Sequence, residues 1–374
     1  MHERMEGIVQ SFSVPIFCIG WIVGLLIAGQ PSWPMAAGGF VIAAFLLWGF
    51  DVKTPASVLL IALGAAFAAI RARLPSVPLD FLQHSFLLNI RLWCDATLHT
   101  SLGSTPEYSL LSGILFGGAG KFSREWKSVF IATGTMHIVA VSGSNLSFYS
   151  GWIETAAART RLSPRARSYV LLALVCGYTV MTGAPASVVR AALMVVVVVV
   201  APLLHRQASA LHALVAAVII MTLFQPTVVS DIGFQLSCLA TLGLIITRTQ
   251  AGFIAESIQT SGAASLCVMP IESLYFGRCS VVALIANAVI APLIPLYMIA
   301  GSGLIALQGL GIPGSHLWAR ALGGLLTFGL WALRRIAELP GGVVYVKLNL
   351  VAVIVWYSVI GLFIVHHYRA RCRR

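Results

Sequence analysis

The residues best suited to chemistry in this 374-residue chain lie in Thr133–Asn145, TGTMHIVAVSGSN, where His137, Ser142, Gly143, Ser144 and Asn145 interrupt an otherwise apolar stretch. A serine and a histidine in one segment admit nucleophilic catalysis with the imidazole as base. His137 and Ser142 are five positions apart, however, which on a regular helix does not align them for proton transfer, and no orienting carboxylate is near in sequence. An intramembrane hydrolase is therefore the weakest reading, and no catalytic residue is assigned. The other chemistry is that of a polar lining. Hydroxyls, an amide and a flexible glycine beside Ile138, Val139 and Val141 need hydrogen-bond partners that lipid does not supply. The segment reads as a helix break or re-entrant turn at membrane depth.

Composition sets the elements that must position it. Hydrophobic residues make up 59% of the chain and charged residues only 10%, where a soluble domain carries roughly a quarter charged residues. The expected fold is all-α: a polytopic transmembrane protein with broken, re-entrant and amphipathic helices. The seven cysteines include no C-x-x-C pair, and Cys18, Cys176, Cys238 and Cys267 lie inside apolar runs, so packing is expected of them and no metal or cofactor. The first apolar run is followed at once by a second, which suits an uncleaved anchor better than a removable leader. A net charge of +12 attracts polyanions, but basic loops also orient membrane proteins with their positive flanks in the cytoplasm.

The chain divides into N-terminal transmembrane helices over 1–70, an amphipathic connector over 71–105, a core over 106–310, and C-terminal helices with a basic tail over 311–374. In the connector, Phe86, Ile90, Trp93 and Thr97 recur at helical spacing, which suggests an amphipathic helix lying on the surface or lining a cavity. Leu110–Phe116 is too short to span and is bounded by Gly113, Gly117, Gly118 and Gly120, which predicts a half-helix or a closely packed interfacial one. Downstream, the runs Tyr169–Thr182, Val188–Leu204, Ala210–Phe224, Ile232–Thr247, Ala263–Phe276, Val281–Gly301, Leu317–Ala337 and Val351–Val365 count as eight crossings from a cytoplasmic Arg159–Arg167 loop. Arg334 and Arg335 then fall outside, unless Leu317–Ala337 is interfacial or re-entrant. The same count places Arg190, Asp231, Glu272 and Asn287 in outer halves, with Gln235 on the face of Asp231. An unpaired charge is costly at that depth, so a facing Arg190–Asp231 ion pair is expected, in a group that either staples helices or lines a hydrated path.

The pattern H-x-x-A-x-S-G at His137–Gly143 closely resembles the signature of the ComEC competence family, polytopic proteins that pass single-stranded DNA across the cytoplasmic membrane during natural transformation. Further segments resemble that family's motifs in the family's order: Ser112–Gly117 (SGILFG), Gly183–Met194 (GAPASVVRAALM), Asp231–Ser237 (DIGFQLS), and Ala286-Asn287 followed by Pro292. Ser144-Asn145 departs from the His or Tyr-Asn often found after the S-G. The resemblance implies a multi-pass cytoplasmic-membrane channel that is not an enzyme. Its DNA path would be formed by His137, Ser142, Gly143, Asn145, Arg190, Asp231, Gln235, Glu272 and Asn287. Implied partners are single-stranded DNA, membrane lipids, an extracellular or periplasmic DNA receptor, and a separate cytoplasmic motor, since no G-x-x-x-x-G-K-[ST] occurs. Many members carry an oligonucleotide-binding-like domain and a metallo-β-lactamase-like domain. Neither is expected here, given a connector of about 35 residues and no H-x-H-x-D-H motif. The main competing reading is a transporter of another anionic substrate, a lipid or an envelope glycan, built on discontinuous helices.

Overall fold

The computed structural model describes residues 86–117, 121–139, 141–246 and 253–372 apart from 204, 206 and 208; the runs expected within 1–70 lie outside them. The fold is all-α. In chain order the helices are α1 (Phe86–Leu102), α2 (Pro106–Phe116), α3 (Arg124–Ala132), the single turn α4 (Met136–Val139), α5 (Gly143–Ala158), α6 (Pro164–Met181) and α7 (Ala186–Leu203). There follow α8 (Ala210–Phe224), α9 (Ile232–Ile246), α10 (Phe253–Phe276), α11 (Ala283–Ile290), α12 (Leu293–Gly309), α13 (Ser315–Ala337) and α14 (Leu350–Cys372). One small ribbon pairs β1 (Cys279–Ser280) antiparallel with β2 (Val343–Val344).

Local chemistry sets several of these boundaries. The hydroxyls of Thr105 and Ser163 accept from Tyr108 N and Ala166 N, with Pro106 and Pro164 opening the two helices that follow. Gly117, at φ 80°, closes α2 in a conformation that side chains disfavour.

Every residue of α2 from Ser109 to Phe116 is buried, as a helix apolar on all sides must be. Helices α1, α4, α12 and α13 pack on it, joining Leu110, Leu111, Ile114 and Leu115 to Leu98, Tyr297, Met298 and Leu326 in the main core. A Cβ on Gly113 would stand 2.8 Å from the Val139 carbonyl oxygen, so α4 lies directly on the α2 backbone. This is the short, closely packed helix that its glycine spacing predicts. A second core joins α5, α6 and α7 through Val141, Leu146, Leu171, Val175 and Val188. Smaller clusters join α8 to α9 through Met221 and Phe234, and α10 to α14 through Ile271, Val353 and Tyr357.

Three expectations change. Helix α1 is seated by Cys94 and Leu98, with Ile90 and Leu102 beside them, whereas Phe86 and Trp93 are 74% and 52% exposed. Asp95 on the same helix turns inward to meet groups on α2, and Trp93 packs only its ring edge, against Gly309 of α12. The run Val281–Gly301 is two helices, α11 and α12, bent by 41°; Pro292 supplies no N–H to continue the first. The eight even crossings become helices of unequal length. Among the described residues α7 alone is a single helix long and apolar enough to cross a bilayer, and the bent pair α11–α12 is a second candidate. Helices α8 and α9 hold 15 residues each, short of the roughly 20 of an ordinary span.

Gly113→Ala is expected to overpack the α2–α4 contact and lower stability by about 1–3 kcal/mol. Gly151→Ala, at a position with nothing within 4 Å, should leave the thermal midpoint of the detergent-purified protein unchanged or higher; equal losses for both would show that the contact is not tight.

Candidate site at the helix break

Helix α3 ends at Thr133, Gly134 turns the chain at φ 65°, α4 makes one turn, Ser142 is extended, and α5 begins at Gly143. The chain thus leaves the main core after Val139 and joins the second at Val141. The hydroxyls and glycines of Thr133–Asn145 mark a break, as their composition predicts, and the single turn of α4 makes it a double one.

Broken helices leave carbonyls without intrahelical donors, and here side chains supply them. Asn145 Nδ2 donates to Ile114 O at 2.8 Å and Tyr178 OH to Leu115 O at 3.2 Å, both at the C-terminus of α2. Arg91 Nη2 donates to Gly117 O at 3.3 Å, and Ser187 Oγ to Val141 O at 3.1 Å. Ser142 Oγ lies 2.6 Å from Ser144 Oγ and donates to Asn145 Oδ1 at 3.2 Å. Its partners are therefore Ser144 and Asn145 and not His137, which is exposed and directs Nδ1 to Gly134 O at 3.1 Å.

Arg190 projects from α7 into this junction and is only 5% exposed. Its Nε donates to Ser237 Oγ on α9 at 3.1 Å, and Nη1 is 3.2 Å from Met194 Sδ. A Cβ on Gly143 would stand 3.0 Å from Arg190 Nη2 and 2.9 Å from Ala191 Cβ, so the guanidinium lies against the first residue of α5. The positive end of the α5 macrodipole and a buried cation are thereby brought together, with no carboxylate partner for Arg190 among the described residues.

The expected Arg190–Asp231 pair is not formed. Asp231 is exposed, and its Oδ1 accepts from Phe234 N at 2.6 Å, capping α9. A carboxylate just before a helix meets the free N–H groups of the first turn sooner than a cation on a neighbouring helix, and Ser237 supplies the oxygen that Arg190 uses instead. Gln235 is buried on α9, donating to Val229 O at 2.9 Å. Gln235 Oε1 and, on α11, Asn287 Oδ1 are buried with no donor among the described residues. Glu272 is partly buried on α10, two residues past Pro270. The fold therefore gathers Ser142, Gly143, Asn145 and Arg190, keeps Gln235 on the adjoining helix, and leaves His137, Asp231, Glu272 and Asn287 on other elements. Among the described residues no cluster of His, Cys, Asp and Glu could hold a metal ion.

Sequence reasoning missed a polar network on the other side of α2. Lys121 Nζ donates to both Asp95 carboxylate oxygens at 2.7 and 2.6 Å, to Tyr108 OH at 2.8 Å and to Ser112 Oγ at 2.8 Å. Ser112 Oγ and Tyr108 OH in turn donate to Asp95 at 2.5 and 3.1 Å. Burial opposes the Asp95 charge, but hydrogen bonds from Lys121 and Ser112, the Lys121 charge and Tyr108 outweigh it, holding the carboxyl below its ordinary range. The available signal was a carboxylate beside Cys94, on the stripe that must face α2.

Comparison with known proteins bears on this arrangement. The sequence profile of a family described as "Competence protein" matches residues 114–370, which include the whole break, Arg190 and Ser237. ComE operon protein 3 of Bacillus subtilis (strain 168) is 26% identical over 177 residues, covering 45% of this chain and 22% of that protein. The alignment thus takes in less than a quarter of that relative's length. No solved structure matches.

Asp231→Ala should cost about 0.5–2 kcal/mol as a lost N-cap, and Asp231→Ser much less. Exchanging the charges of Arg190 and Asp231 should give no rescue over the single changes; rescue in a stability cycle would restore the ion pair. Asp95, with its lowered pKa, contributes stability that is fully present above the unfolded value of about 3.9 and is lost as pH falls through its folded value. The thermal midpoints of wild type and Asp95→Asn should therefore converge only in that acidic range. A constant gap at all pH values would assign the loss to packing.

Proposed function

Because this chain belongs to the competence-protein family, we propose that it is a multi-pass protein of the cytoplasmic membrane through which single-stranded DNA is taken up during natural transformation. The observation that carries this reading is Arg190: buried, laid against the N-terminus of α5, and held by the neutral oxygen of Ser237. A carboxylate partner would cancel its charge, whereas a hydroxyl positions the guanidinium and leaves its field intact. A single strand carries one negative charge per nucleotide, and a conducting path must attract it without trapping it. One focused positive region beside a broken helix meets both requirements better than a ring of arginines.

In this reading Ser142 and Asn145 shape the break and Gly143 admits the guanidinium. Asp231 and Gln235 hold the start of α9, so that Ser237 faces Arg190. Glu272 and Asn287 line the path further along, and His137 lies at its margin. Apolar side chains exposed on α6, α7, α10 and α13, among them Leu174, Val198, Leu266 and Trp331, suit contact with lipid. The chain makes and breaks no covalent bond in this role. A receptor delivers the strand outside, and a separate motor draws it in.

The test is internalisation of labelled DNA by a strain lacking the gene, complemented at equal membrane levels. Wild type should restore uptake and Arg190→Lys retain part of it. Arg190→Ala should reduce it about ten-fold or more, as expected for loss of one charge-assisted contact of roughly 1.5–3 kcal/mol. Normal internalisation without the gene sinks the reading, and an envelope defect in its place would favour transport of another anionic substrate.

A further inference from the structure

A second concentration of positive charge lies away from Arg190. A cleft of about 440 Å³ is lined by Arg124, Lys127 and Ser128 on α3, Arg278 between α10 and β1, Ala337 at the end of α13, and Tyr345 just after β2. Arg124, Lys127 and Ser128 share one helix face by their spacing. The neighbouring acids are committed elsewhere: Glu125 to Arg334 at 3.0 Å, and Glu338 to Arg335 at 3.1 Å. Arg124, Lys127 and Arg278 form no ion pair among the described residues, and the Tyr345 ring beside them is 80% exposed.

The cleft adjoins the break. Ser280 Oγ donates to Ala132 O at 2.7 Å, and a Cβ on Gly134 would stand 2.7 Å from Ala283 Cβ. The ribbon and the start of α11 are thus clamped onto the residues that open Thr133–Asn145.

We infer that this cleft is a docking site for the single strand beside the break, with Arg124, Lys127 and Arg278 taking its phosphates and Tyr345 stacking under a base. The inference rests on the uptake reading and extends it to a second site. Cations that track a backbone beside an exposed aromatic ring are how single strands are held without regard to sequence. Docking here would deliver the strand to the break while leaving Arg190 free for passage.

The test uses the full chain in nanodiscs of zwitterionic lipid, with binding of a labelled oligothymidylate followed by fluorescence anisotropy across a salt series. Arg124→Gln/Lys127→Gln/Arg278→Gln should weaken binding and flatten the slope of log affinity against log salt by about 2, three phosphate contacts at about 0.7 each. Tyr345→Ala should weaken binding about ten-fold with an unchanged slope and an unchanged thermal midpoint, which separates loss of stacking from loss of fold. A triple variant with the wild-type slope overturns the inference. So does a triple variant that loses affinity for anionic vesicles but keeps oligonucleotide binding, which would make the cleft a lipid-headgroup site. If both variants dock oligonucleotide as wild type does while deletion of the gene still abolishes uptake, the docking site is wrong and the uptake reading stands. If docking behaves as expected but the deletion strain internalises DNA normally, the cleft stands and the uptake reading fails.

Discussion

Helix α2 ends inside the protein, and the carbonyls of its last turn must find donors there. Leaving them unpaired in apolar surroundings would cost more than most single contacts contribute. Asn145 reaches Ile114 O and Tyr178 reaches Leu115 O, so α5 and α6 are drawn onto the end of α2 by its own backbone. Close approach is the other half of the constraint. Gly113 lets the Val139 carbonyl lie on α2, and Gly117 turns the chain away where a side chain would meet Val141. The break at Val141–Ser142 exists because the chain must leave one core, satisfy α2, and start α5 within a few residues.

That arrangement decides what Arg190 can be. A guanidinium buried without a carboxylate is usually costly, and placing it beside a helix N-terminus adds to the cost. The structure offsets this with two neutral acceptors, Ser237 Oγ and Met194 Sδ, and with a contact that only a glycine at 143 leaves room for. Asp231, the nearest acid in the sequence motif, is used to cap α9 instead. The outcome is a positive focus whose anchoring does not neutralise it.

The polar groups around α2 serve two different ends. Asp95, Tyr108, Ser112 and Lys121 satisfy one another and hold α1 in its rotation. Among the described residues Arg124, Lys127 and Arg278 have no such closure and gather around an open cleft. The ribbon that frames the cleft is fastened to Ala132, one residue before the break. A ligand held in the cleft would therefore sit on the segment that leads into the junction of α3, α4 and α5.

Much of this was legible without a structure. Apolar run length placed α8, α9 and α13 to within about two residues, because the period and extent of a buried helix are written in its own side chains. Glycines and hydroxyls marked Thr133–Asn145 as a break, since neither belongs in an uninterrupted apolar helix. The segments around Ser112, Ser142, Arg190 and Ser237 were recognisable by type and order. What the sequence could not contain was their partnership. Whether Asp231 met Arg190 or capped its own helix depended on which donor lay nearer in three dimensions. Whether Trp93 or Cys94 faced α2 depended on the pull of Lys121 and Ser112 on Asp95. The 41° bend at Pro292 was open in the same way, since a proline permits a kink and the packing on either side sets its angle. The sequence by itself determined which segments are helical and that the chain breaks within Thr133–Asn145. The tertiary structure alone decided which polar group satisfies which, because that choice is made by distance between elements far apart in the chain.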